Sequence, residues 1–230
     1  MQRASLTDAS VPIVALRAVV LVLGVVAELW NIVVMVRGGE SPTHHFGYFT
    51  IQASIAAIVL VAALLLVPAV ARPRWFESLR GAITGYLVLA MLVWALLVAE
   101  PHEAFSWTIP FPGIAQHRII PVLLLIDWIL VPPRTALPFW RTLGAWMLYP
   151  VLFLVGSWLR GGLSDGWYPY GFLDPSEHDG PLALVLSVAR VLGAFLVVLS
   201  LVLLVGRWRS GRRDSIASST SARPTSNSSP

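Results

Sequence analysis

Apolar residues run along this chain in six long blocks, separated by short stretches rich in arginine, glycine, proline and histidine. Each block approaches the roughly 20 residues that a helix needs to cross a bilayer. They predict helices over residues 11–36, 49–70, 81–99, 114 or 117 to 131, 138–159 and 181–205. Pro132-Pro133 closes the fourth. The expected architecture is an all-α integral membrane protein, a six-transmembrane-helix bundle over residues 11–205. A polar segment, 1–10, precedes it, and a basic then Ser/Thr-rich tail, 206–230, follows and is expected to be disordered. No small-residue cleavage site follows residues 1–10, so the first helix is expected to stay as an anchor.

Composition sharpens this picture. Of 230 residues, 57% are hydrophobic and 12% charged, too few polar groups to cover a soluble domain of this size. The net charge of +4 comes from sixteen basic residues that are all arginine, a usage that points to a GC-rich bacterial genome and so to a bacterial plasma membrane. Nucleic acid is not the expected partner, because the arginines flank hydrophobic blocks with a sidedness. Eleven fall on the side of the chain termini, against Arg37, Arg160 and the borderline Arg118 opposite. The positive-inside rule places both termini in the cytoplasm. The absence of cysteine excludes disulfides, thiol catalysis and thiolate metal sites.

Ionisable residues inside apolar blocks are costly, and mark function or pairing. Depth along each helix, at about 1.5 Å per residue, compares them. Glu28 and Arg190 each sit about eight residues from the outer ends of the first and sixth helices, roughly 12 Å down, and form a plausible buried ion pair. Arg17 and Asp127 lie near the inner boundary and pair likewise. Thr50 and His117 share one depth near the outer boundary. Thr50 alone reads as a helix-start residue that caps backbone amides, or as a nucleophile needing a base. His117 alone reads as an interfacial histidine. His44-His45, with His102 and Glu103, could be metal ligands, but the pair lacks HxxxH or HExxH spacing and reads as solvated loop. No metal and no cofactor is expected. The cluster from Trp167 to Phe172 suits an interfacial aromatic belt, or the roof of a lipid-facing pocket.

Three segments together resemble a known family. They are Tyr48-Phe49-Thr50-Ile51-Gln52 opening the second block, His117 with Pro121 and Asp127-Trp128 in the fourth, and Trp167-Tyr168-Pro169-Tyr170-Gly171-Phe172-Leu173-Asp174 before the sixth. Their order is similar to that of the androgen-induced protein family and its six-transmembrane bacterial relatives. The sequence departs from many of those relatives at Ala53-Ser54, where they carry Ser-Asn. Animal members hydrolyse fatty acid esters of hydroxy fatty acids. The resemblance implies Thr50 as nucleophile, His117 as general base and a lipophilic ester from the membrane as substrate. Asn31, Gln52 or the amides near Thr50 are candidate oxyanion donors, and Glu28 a candidate for orienting His117. Trp128, Tyr168, Tyr170 and Asp174 complete the candidate pocket. The alternative is a non-enzymatic carrier or lipid-binding scaffold with a polar core of Glu28, Arg190 and Asp127.

Overall fold

The computed structural model describes residues 10–100, 102–103 and 106–221, so residues 1–9 of the expected N-terminal segment and the last nine residues of the tail lie outside it. Six helices are long and apolar enough to cross a membrane. In chain order the helices are α1 (Val11–Gly38), the short α2 (Pro42–His45), α3 (Phe49–Leu66), α4 (Arg74–Val98), α5 (Phe111–Leu130), α6 (Phe139–Leu163) and α7 (Pro181–Ser221). Two single-turn 3-10 helices, Gly171–Leu173 and Pro175–Glu177, order the segment before α7.

Local chemistry sets the ends. Gly39 adopts a left-handed conformation (φ 67°) that ends α1, and the next amide reaches back to the Met35 carbonyl. Pro68 turns Val67 extended, which stops α3 at Leu66, short of residue 70. Instead of ending at residue 205, α7 continues through Ser221, so the basic stretch expected to be disordered is helical up to that point.

α4 is the most buried of the six and packs against α3, α5 and α7. Side-chain-free positions let its neighbours close in. A Cβ on Gly85 would stand 2.4 Å from Leu199, and one on Gly81 would stand 2.6 Å from the Trp146 ring. Close approach at small residues is how helices associate where lipid removes the hydrophobic drive.

α4 also begins earlier than its hydropathy suggests, at Arg74, because the membrane-facing cost of Arg80 is met inside the bundle. Its guanidinium is buried and bonds Asp127 at 2.9 Å, Glu77 at 3.0 Å and the Val131 carbonyl at 2.5 Å. Arg17 reaches the other oxygen of Asp127 at 2.8 Å, as its depth suggested. Asp127 therefore ties α1, α4 and α5 together at the end of the bundle nearer the chain termini. The Arg80 guanidinium lies over the Trp128 ring, 4.7 Å from its centre, and Trp128 donates its indole N–H to the Val202 carbonyl on α7 at 2.8 Å.

Candidate active site

At the opposite end, the helices splay around a cavity of about 700 Å³. Thr50, on the first turn of α3, and His117, on α5, both line it. Thr50 is buried among the first amides of α3, which have no partner within their own helix. Tyr170 arrives from the segment before α7 to meet them, its hydroxyl oxygen 3.5 Å from the Thr50 amide nitrogen, which donates to it. Burial pushes the Tyr170 phenol above its ordinary range, so it remains a neutral hydroxyl that can donate.

His117 is fixed by stacking. Its ring lies 5.0 Å from that of Trp94 on α4, with 17° between the planes. Both residues sit in single turns of π-helix, Trp94–Val98 in α4 and Ala115–Ile119 in α5. Such turns carry one extra residue and recur at functional sites. Neither is foreshadowed by hydrophobic periodicity. His117 Nδ1 is buried and makes no hydrogen bond within the protein.

Glu28 is elsewhere than expected. Its carboxylate meets His45 Nε2 at 3.2 Å and accepts from Gln116 Nε2 at 3.1 Å, while Asn31 donates to Gln116 Oε1 at 3.1 Å. This buried chain forms one polar wall of the cavity, which Asn31, His45 and Gln116 line. Arg190 is exposed on α7 and takes no part, so the Glu28–Arg190 pair does not form. Equal depth places two residues on one level but not on facing sides of their helices. Nor does Glu28 orient His117.

The other candidates divide. Gln52 is held by Tyr149, which donates to its Oε1, and by the Phe46 carbonyl at 2.8 Å, outside the cavity lining. Asp127 and Trp128 belong to the distant ion cluster. Tyr168 packs on Gly161, and Asp174 caps a turn by accepting from the Ser176 amide at 2.8 Å. His45, read from sequence only as loop or metal ligand, is the residue sequence reasoning missed. The Ser41-Pro42 pair ahead of it was its available signal, since proline suits a helix's first turn. Among the described residues, no group of three or more histidine, aspartate or glutamate side chains is placed to hold a metal ion.

Besides these polar residues, Thr50, Tyr170 and His117, the carboxylates of Glu40 and Glu177 also line the cavity, and much of the remaining lining is apolar, with Phe49, Phe153, Val191 and Phe195 among it. Such a space suits an acyl chain with one reactive polar group. Compared with known proteins, the chain matches no family model, no curated protein and no solved structure.

Proposed function

We propose that the protein is a membrane-embedded hydrolase of lipophilic acyl esters, of the fatty acid ester of hydroxy fatty acid type. Thr50 is its nucleophile and His117 its general base. The observation that carries this reading is that Thr50 and His117 both line one cavity inside a bundle of helices long and apolar enough to span a membrane. The resemblance of residues 48–52, 117–128 and 167–174 to the androgen-induced protein family supports it independently of the geometry.

In this reading His117 takes the Thr50 hydroxyl proton as Oγ1 attacks the ester carbonyl. The tetrahedral oxyanion accepts hydrogen bonds from Tyr170 and the leading amides of α3. The proton then passes to the departing alkoxide, leaving an acyl-threonine. Water, deprotonated by the same imidazole, releases the acid and restores Thr50. Asn31 and Gln116 shape the polar wall.

The carrier or scaffold alternative needs a shared core of Glu28, Arg190 and Asp127. These three residues lie apart, in the cavity wall, on an exposed helix face and in the opposite ion cluster. The arginine bias favours a bacterial plasma membrane topology with both termini cytoplasmic and the cavity end outside.

The test is hydrolysis of a panel of lipophilic esters by purified protein in nanodiscs, alongside Thr50→Ala and His117→Ala variants checked by thermal melting. Turnover lost in both folded variants supports the assignment. Turnover unchanged in either, or absent from the unaltered protein across the panel, overturns it.

A further inference from the structure

His45 closes the short α2 and is only 7% exposed, yet it lines the large cavity. Its Nε2 stands 3.2 Å from Oε1 of Glu28, and a carboxylate can only accept, so this nitrogen carries the hydrogen. The neutral imidazole is thereby left with Nδ1 as an acceptor. Glu28 itself is pinned, since Gln116 donates to its other oxygen at 3.1 Å and Asn31 holds Gln116 at 3.1 Å. Nδ1 of His45 has no partner among the described residues and, unlike Nδ1 of His117, is not fully enclosed. An acceptor buried this deeply costs stability unless something donates to it.

The open edge of the cavity carries charge of one sign. Glu40, just after α1, and Glu177, in the turn before α7, are both exposed and both line it. The Glu177 carboxylate occupies the space that a Cβ on Gly171 would need, so glycine at that position is what seats it there. Among the described residues no arginine lines the cavity, and the chain has no lysine. Arg37, Arg118 and Arg160, the arginines of the outer loops and helix ends, all lie outside the lining. A ligand carboxylate would meet like charges there and no guanidinium, whereas a hydroxyl or an ammonium would find acceptors.

We propose that the cavity selects, among the acyl esters of the hydrolase reading, those whose polar end is a hydrogen-bond donor without negative charge, a hydroxyl or an ammonium. His45 Nδ1 and the Glu40 and Glu177 carboxylates receive that end, while the acyl chain lies along Phe153, Val191 and Phe195. In an ester of a hydroxy fatty acid, the hydroxy acid's own carboxyl is then capped, as a glycerol ester or an aminoalkyl amide, and the free acid is rejected. That the bound ester is cleaved rests on the hydrolase reading; the choice of polar end rests on the cavity lining alone. A site that offers an acceptor to a hydroxyl discriminates against the analogue lacking it, because the acceptor is then left buried and unpaired.

The experiment uses full-length protein in phosphatidylcholine nanodiscs and an acylated hydroxy fatty acid as its free acid, methyl ester, glycerol ester and aminoethyl amide. Binding is read in Thr50→Ala, so that no ester is consumed, by displacement of a diazirine-bearing glycerol ester whose cavity label is mapped by mass spectrometry. The glycerol ester and the aminoethyl amide should displace this probe best and the methyl ester less well. The free acid should displace it about tenfold less well than the glycerol ester. Glu40→Gln combined with Glu177→Gln, both at exposed positions, should narrow the gap between the free acid and the aminoethyl amide several-fold. His45→Phe should erase the advantage of the glycerol ester over the methyl ester, and the exposed double variant keeps the test decisive even where His45→Phe does not fold. Equal or better displacement by the free acid, a ranking unmoved by the double variant, or no label in the cavity would each overturn the proposal. Turnover of the same esters is followed in the unaltered protein. The expected ranking without turnover would sink the hydrolase reading alone; turnover with the free acid preferred would sink this one alone.

Discussion

The carboxylate of Glu28 on α1 meets Nε2 of His45 on α2 at 3.2 Å, and both side chains are buried. A membrane-depth acid is thereby satisfied by a residue from the loop region rather than by an arginine on a neighbouring span. Gln116, bonding the other carboxylate oxygen, links this pair to the turn that carries His117.

Glu28→Ala should therefore destabilise the protein by about 2–4 kcal/mol, the range for stripping a partner from a buried polar network. Arg190→Gln should change stability by less than about 0.5 kcal/mol, as exposed substitutions do. The double variant should show additive losses in thermal melting. Rescue of Glu28→Ala by Arg190→Gln would mean that the two residues do interact.

Tyr170→Phe removes one hydroxyl from the Thr50 corner and leaves the ring stacked on Phe172. Ester turnover should fall by about 10²-fold, the scale of losing one oxyanion donor. The melting temperature should hardly move. Unchanged turnover would remove Tyr170 from the reaction.

Asp127→Asn leaves Arg17 and Arg80 without the carboxylate they share at 2.8 and 2.9 Å. Removing the carboxylate from a buried ion cluster costs up to about 3–5 kcal/mol, so this variant should express poorly and melt early. Asp127→Asn combined with Arg17→Met should recover part of the loss in the same melting assay.

Asp165 couples the two loop regions at the cavity end: His44 bonds its Oδ2 at 2.7 Å and Arg160 at 3.1 Å, and the His44 ring lies stacked on Trp167. The His44 bond above all, then the Trp167 amide and the Arg160 charge, hold the Asp165 carboxyl below its ordinary value of 3.8. A depressed folded-state value means stabilisation that is complete above 3.8 and is lost as pH falls through that lower value. Hydrogen exchange around residues 164–170 should accelerate in that acid window. Asp165→Asn should flatten the dependence.

On the proposed topology, with both termini cytoplasmic, alkaline phosphatase fused after Arg160 should be active. An inactive fusion would invert the topology.

Hydropathy made all six spans legible, and depth counting found the Arg17–Asp127 pair and brought Thr50 and His117 to one level. Depth is one coordinate of two. Which way a side chain faces around its helix depends on packing, and that is why Glu28 met His45 instead of Arg190. Arg80 read as loop because part of its neutralisation comes from Asp127, 47 positions away, which no local window sees. The π turns at Trp94 and His117 were invisible for a related reason: one extra residue in a turn barely disturbs an apolar run, yet it sets the angle of everything it carries.

The candidate site is drawn from distant parts of the chain, and ribosomes make them in order. Thr50 and His117 are both synthesised and inserted while Tyr170 and the Val188–Phe195 wall are still untranslated. A nascent chain that ends before Tyr170 therefore holds Thr50 and His117 in a hollow that lacks this wall. The last span supplies the wall of Val188, Val191, Leu192 and Phe195, so truncation before α7 should yield an inserted protein without a closed chamber.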